Sequence, residues 1–359
     1  ATSVSTSLID GPPRKHPPIP SASSISNRAP GLTNSSRSLA SSATRWLIWF
    51  HLLTSLGTCA QNSSRTGVWT VRFASLRASA TVRQPASALP QSPPDIAYLN
   101  LGTAVNAGVE SPTYKYDSAV RTLVSGIPGE YVFEVLQSSG SYLAGWFREA
   151  LGDPRLLGEP DPELDAAAST IPPGCEGLIT LPYWNAVQSP YWDPVARGAV
   201  VGWRGTHSRA HMYRSILESI GFEMRFNLDC IEKQTGVRIT ALRAMGGGTR
   251  SKLWRQIMAD TAGVPITTCV EDEISALGAA VLAMAGIEAH DSHDVAVSAK
   301  AMAHFGDTTE PDVSLHEQYK DVAEVQHRLY PHLQEVFEDL HTLANRYPST
   351  KPESPKLSS

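Results

Sequence analysis

The sequence predicts an α/β layered fold that begins near Asp95. Short apolar runs closed by glycine alternate with longer helical stretches from that point to Tyr347. The text before it has a different character: Ser, Ala, Thr, Pro and Arg dominate, and Asp10 is the sole acidic residue ahead of Asp95. The stretch after Asp95, roughly 250 residues, is long enough to bury one core of its own.

In chain order, Ile96–Leu101 reads as a strand that Gly102-Thr103 ends in a tight turn. Tyr131–Val135 is a second strand, and the small-residue loop Ser138–Ser141 leads into a helix over Tyr142–Leu151. Gly177–Leu181 is a further strand and His207–Thr235 a long helix. Ile239–Met245 is a short strand entering Gly246-Gly247-Gly248, with a helix over Ser251–Thr261 behind it. Ile274–Ala285 is a helix of small residues suited to close packing. Ser314–Tyr347 is helical, with a kink expected at Pro331, whose ring cannot continue the hydrogen-bond ladder. No internal repeat is visible.

Thirty basic against 35 acidic residues leave a net charge of −5. That balance carries no broad electrostatic footprint for nucleic acid or an anionic membrane. Cys59, Cys175, Cys230 and Cys269 lie far apart without a C-x-x-C pair, which argues against a zinc module or a disulfide framework. Residues 1–94 lack sustained apolar periodicity and are expected to be a disordered leader, as is the tail 348–359. The apolar patch Trp46–Phe50 is too short to span a bilayer, which takes roughly 20 residues. With no credible targeting segment, the expected location is the cytoplasm.

Three stretches carry chemistry. A strand ending in Gly102-Thr103 offers backbone N–H groups and a hydroxyl to a phosphate, although plain turns share that pattern. Gly246-Gly247-Gly248 removes every Cβ between a strand and a helix, so a flat ring or a phosphate can approach the backbone. Its spacing is neither a Walker loop nor a dinucleotide fingerprint. Tyr183, Trp184, Tyr191, Trp192 and Trp203 form an aromatic group whose expected role is core or interface packing rather than ligand contact.

From Gly198 to Glu218 the chain resembles the C-terminal signature of the FGGY-family carbohydrate kinases. Gly198, Val200, Gly202, His211, Met212 and Ser215–Glu218 fall in register, and Trp203 departs from the usual aliphatic residue. The Gly102-Thr103 turn resembles that family's second phosphate loop. Gly246–Ser251 resembles its adenosine motif, and Ala276–Ala280 its closing helix.

The resemblance, closest to xylulokinase-like members, implies a ribonuclease-H-like (actin/hexokinase-type ATPase) domain in one copy over residues 95–347. It implies ATP and Mg²⁺ as cofactors and phosphorylation of a hydroxyl on a pentulose or related sugar. The implied partner is a sugar or polyol substrate, with neither nucleic acid nor membrane, and a homodimer stays open as the assembly. By the same resemblance Gly102 and Thr103 face the phosphates, Gly246, Gly247, Gly248 and Ser251 border the adenosine, and Gly140 lies beside it. No metal ligand and no catalytic residue is assigned, because the family's Asp-x-Gly-Thr loop and catalytic Asp have no counterpart here. Asp95 lies too close to the strand to replace that base.

Codons allowed for Ala80–Leu89, regrouped by one shift, can spell Asp-Gly-Gln-Ala-Ala-Gly-Leu-Gly-Ala, which resembles the family's catalytic-Asp segment. The expectation is a leader translated out of frame and a chain inactive as written. The alternative from another class is a non-catalytic nucleotide-binding or interaction remnant, with Trp184 and Trp192 on an exposed apolar face.

Overall fold

The computed structural model describes residues 93–153, 155–156, 161–271, 274–287 and 293–347. The leader, the shifted-frame segment Ala80–Leu89 and the tail 348–359 lie outside the described residues.

Strands β1 (Ile96–Leu101), β2 (Val105–Ser111), β3 (Arg121–Val124) and β4 (Tyr131–Gln137) are followed by helix α1 (Ser141–Leu151) and α2 (Pro162–Ser169). Next come β5 (Ile179–Leu181), β6 (Ala199–Val201), the 27-residue α3 (Arg209–Thr235), β7 (Ala241–Met245) and α4 (Lys252–Ala262). The chain continues through β8 (Ile266–Cys269), α5 (Ile274–Gly286), α6 (Val295–Met302), β9 (Phe305–Thr309) and α7 (Val313–Arg346).

Seven strands form one sheet in the order β3-β4-β2-β1-β7-β8-β9, while β5 and β6 pair separately. The first part is an antiparallel meander; β7 joins β1 in parallel, β8 joins β7 in parallel, and β9 closes the far edge antiparallel. This mixed sheet is the fold class the sequence predicts.

The period-2 pattern of β1 sorts its side chains. Ala97, Leu99 and Leu101 are fully buried in the main core, while Tyr98 and Asn100 point to the other face. On the first face the sheet packs against α1, α3 and α4, which supply Phe147, Ile216, Ile220 and Ile257 to that core. On the second face Ile274 of α5 meets Tyr98, Val132 and Met245. Residues Ala210–Met224 of α3 are buried on every side, so this helix runs through the interior rather than over the surface.

Several elements differ from expectation. The strand expected to begin at Gly177 starts at Ile179, because Gly174, Cys175, Glu176 and Gly177 hold φ of 78°, 49°, 54° and 88°. Four successive left-handed residues cannot be a strand. Val105–Ser111, for which no element was expected, is the second strand of a hairpin. Helix α2, strands β3, β6, β8 and β9, and helix α6 were not expected; each is short or lacks a clean period. Helix α7 continues through Pro331, since Tyr330 before it and Phe337 after it are anchored in the same apolar cluster.

Candidate functional site

The two central parallel strands point their C-terminal ends the same way, with Asn100 opposite Met245. From there the chain departs in opposite directions. β1 turns back into β2 on one side, and β7 passes through α4 to β8 on the other. Divergent connections at the carboxyl ends of neighbouring strands leave a crevice that only loops can line.

Three loops meet there. The Gly102-Thr103 turn docks on the start of α1: Ser141 N–H and Oγ donate to the Gly102 carbonyl at 2.9 and 2.7 Å. The N–H groups of Gly140 and Tyr142 donate to the Thr103 carbonyl at 3.1 and 3.2 Å. Gly140 is needed for this approach, because a Cβ there would stand 2.7 Å from Val105 Cγ2 and 2.8 Å from the Gly102 carbonyl. The α1 amides are thus spent on carbonyls. Among the described residues, no protein acceptor takes the N–H groups of Gly102, Thr103 or Ala104, and Thr103 is exposed. A turn with three undonated amides and an outward hydroxyl can receive an anion.

The third loop follows β7. Gly246 adopts φ +89°, and a Cβ there would meet Asn100 Oδ1 at 2.7 Å. A Cβ on Gly248 would meet the Trp254 ring at 2.6 Å and Leu101 Cβ at 2.9 Å. These two glycines let the loop lie directly on the end of β1. Gly247 differs: nothing lies within 4 Å of its Cβ position, and it faces open space. Ser251 caps α4 by accepting the Trp254 N–H at 3.2 Å and donates to Asp165 Oδ2 at 3.1 Å. Its hydroxyl is therefore already engaged within the protein.

Asn100 and Asp165 were not found by sequence reasoning. Asn100 is wedged beneath Gly102 and Gly246, and the alternation of β1 could have flagged it as a polar residue on the strand's second face. Asp165 sits on a helix the sequence did not reveal, and there it meets both Ser251 and the Tyr213 hydroxyl.

Behind the crevice lies a buried polar cluster. Glu134 is fully buried and accepts from the Tyr98 hydroxyl at 2.5 Å, Asn106 Nδ2 at 2.7 Å and Arg121 Nε at 2.6 Å. Burial, with the neighbouring Glu134 carboxylate, pushes the Tyr98 hydroxyl pKa up, so it remains a donor.

Of the aromatic group, Tyr183 and Trp184 pack as expected, whereas Tyr191, Trp192 and Trp203 are exposed. Trp184 is half-buried against Trp146, with ring centroids 5.4 Å apart, and Gly198 lies directly beneath it; it does not belong to an exposed face. Tyr183 is buried, with its hydroxyl on Glu223 at 3.1 Å. Trp192 is exposed, though its Nε1 is pinned to the Ser118 carbonyl at 2.6 Å.

Asp95 stands at the start of β1, the opposite end from the loops, and Thr240 Oγ1 donates to its Oδ2 at 2.7 Å. Among the described residues no group of three or more His, Cys, Asp or Glu side chains is arranged to hold a metal, and no helix is long and apolar enough to cross a membrane.

The FGGY family of carbohydrate kinases, C-terminal domain, matches residues 97–287. The chain is similar to a glycerol kinase of Solidesulfovibrio magneticus, 33% identical over 183 residues, covering 50% of this chain and 35% of that protein. It is also similar to a glycerol kinase of Oleidesulfovibrio alaskensis, 40% identical over 139 residues, covering 38% of this chain and 27% of that one. Among solved structures, the xylulose kinase from Rhodospirillum rubrum superposes with a TM-score of 0.62 and 26% identity, over 71% of this chain and 50% of that chain. Plasmodium falciparum glycerol kinase with ADP superposes at 0.57 and 21% identity, over 68% of this chain and 49% of that chain, which is a likeness of fold alone. The chain thus spans about a third of the length of these curated relatives and half that of the solved ones.

Proposed function

Because the chain belongs to the FGGY family of carbohydrate kinases, matching its C-terminal domain, we propose that residues 95–347 are the nucleotide-binding half of an ATP-dependent kinase. The acceptor is a hydroxyl of a small polyol or ketose, the class to which the substrates named for its relatives, glycerol and xylulose, belong. The observation that carries the proposal is the crevice between β1 and β7. Two glycines there admit no side chain, and the turn beside them presents undonated amides.

In this proposal Gly102, Thr103 and Ala104 hold phosphate oxygens by backbone N–H groups, with the Thr103 hydroxyl as a further donor. Gly246, Gly247 and Gly248 form the flat wall for the adenosine, and Gly140 keeps the α1 loop close to the turn. Ser251 acts indirectly: by capping α4 and binding Asp165 it holds the glycine loop in place. When bound, MgATP supplies the γ-phosphoryl group and the charge neutralisation at the phosphates. No described residue is assigned as the base for the acceptor hydroxyl; Asp95 lies at the far end of β1 and is engaged by Thr240.

The test is an ADP titration by calorimetry on the full chain and on Gly247→Asp. Position 247 has room for the new side chain, so the fold should be kept. The carboxylate would stand where the nucleotide is proposed to lie. ADP affinity is expected to fall at least about tenfold with the melting temperature unchanged. Equal ADP affinity in the two proteins would remove Gly247 from the site and with it this reading of the crevice.

A further inference from the structure

Helix α7 is held to the body along one side. Its buried residues are Tyr319, Gln326, Tyr330 and Phe337, and the last two lie in an apolar cluster with Leu181 and Tyr183. After Phe337 the helix runs on to Arg346, about 14 Å at 1.5 Å per residue. Within residues 338–347 His341 is half-buried and the rest are exposed. Arg197 Nη2 donates to His341 Nδ1 at 3.1 Å, which fixes the face that this end turns towards the body.

A helix end that meets only water should be polar all round. This one carries Val336, Leu340, Leu343 and Tyr347, which are 45%, 46%, 46% and 72% exposed. Their spacings of 4, 3 and 4 residues make a single stripe with the 3.5-residue period of a coiled-coil seam. Scattered apolar residues on a surface are ordinary, whereas four on one stripe form the face that a second helix covers.

The charges beside the stripe say which helix. Asp339 and Arg346 stand one heptad apart on the same flank, just before Leu340 and Tyr347. Among the described residues neither side chain has an ion pair or a hydrogen bond. In an antiparallel pair of two copies, Val336 of one copy meets Tyr347 of the other, and Leu340 meets Leu343. The same register sets Asp339 of each copy against Arg346 of the other, two ion pairs related by a two-fold axis. Parallel pairing would put Asp339 opposite Ala344 and lose both. The antiparallel register also brings Phe337 of one copy level with Arg346 of the other, so the two bodies would sit at opposite ends of the paired stretch.

We propose that this end of α7 is a self-association element, residues 336–347 of two copies forming a short antiparallel coiled coil. Four layers are a small contact, so the dimer belongs to the weak class that buries less than about 1,200 Å². None of these residues belongs to the nucleotide site, and the proposal stands or falls apart from the kinase reading.

The test is sedimentation equilibrium of the full chain between about 5 and about 500 µM, where a reversible dimer with Kd on the order of 100 µM is expected. Leu343→Glu, at an exposed position, should leave monomer across that range with the melting temperature unchanged. Asp339→Arg and Arg346→Asp should each weaken the dimer about tenfold, because each creates two like-charge pairs. Mixed in equal amounts, those two variants should dimerise about as well as the parent, since the mixed dimer regains both ion pairs. Monomer alone at the highest concentration would overturn the proposal, as would a dimer indifferent to Leu343→Glu. So would a mixture no tighter than its separate variants.

Discussion

Glu223 is a carboxylic acid in the interior of α3, 2% exposed, with the Tyr183 hydroxyl and Gln326 Nε2 each donating to its Oε1 at 3.1 Å. Two neutral donors offset only part of what burial costs a charge, and the pKa is pushed up to about 7 from an ordinary 4.5. The folded value thus lies above the unfolded one. Stability from this group is fully present below about pH 4.5. It declines as pH rises, because the unfolded chain releases its proton first, and the whole penalty applies above about pH 7. The size is on the order of 3 kcal/mol from a shift of that extent. Glu223→Gln keeps an acceptor oxygen for both donors and removes the titration. Urea unfolding at pH 5 and pH 8 should show the variant's stability relative to the parent rising from the lower pH to the higher. A constant difference between the two proteins across that range would mean that Glu223 does not titrate there.

Helix α3 carries a second buried charge, and this one ties elements together. Glu218 accepts from Arg214 Nε at 2.7 Å, from the Tyr319 hydroxyl at 2.9 Å and from Gly174 N–H at 3.0 Å. Arg214 in turn donates to the Ala168 carbonyl at 3.1 Å and to the Tyr319 hydroxyl at 3.0 Å. One ion pair therefore joins α2, α3, α7 and the left-handed turn before β5. Arg214→Met would leave a carboxylate buried without its countercharge and should cost about 3–5 kcal/mol in urea unfolding. Adding Glu218→Leu to it should recover a large part of that loss; a double variant as unstable as the sum of two full losses would contradict the coupling. These links were not legible in the sequence. A helix buried on all sides reads as a polar-and-apolar mixture, and only packing shows that Arg214 and Glu218 face inward. The long or strongly patterned elements were legible within a few residues: β1, β4, α1, α3, α4, α5 and α7. The short strands β3, β6, β8 and β9 were not, since three to five residues give too few alternations to separate strand from loop. The same holds at the site. Glycines announce themselves by composition, whereas Asn100 and Asp165 matter through neighbours distant in the chain.

At the scale of the molecule, the described residues build one seven-stranded mixed sheet with helices on both faces, beside the separate β5–β6 pair. Holding a nucleotide and transferring its phosphoryl group make different demands. The first needs donors at the right places, and in the proposed site the undonated amides of Gly102–Ala104 beside Gly246–Gly248 would supply them. The second also needs a base against the acceptor hydroxyl and a covered site from which water is expelled. Asp95 is held by Thr240 at the far end of β1, and Asp165 is occupied by Ser251 and Tyr213. The polypeptide of 359 residues is therefore expected to bind ADP yet to form no product above background when given MgATP with glycerol or D-xylulose. A coupled assay for ADP release, run beside direct detection of the phosphorylated acceptor, checks both halves of that statement. ADP release without phosphorylated acceptor would fit an uncovered site where water is the nucleophile. Acceptor phosphorylation by this chain would show that it holds a base and a cover of its own, and the division of labour argued here would have to be given up.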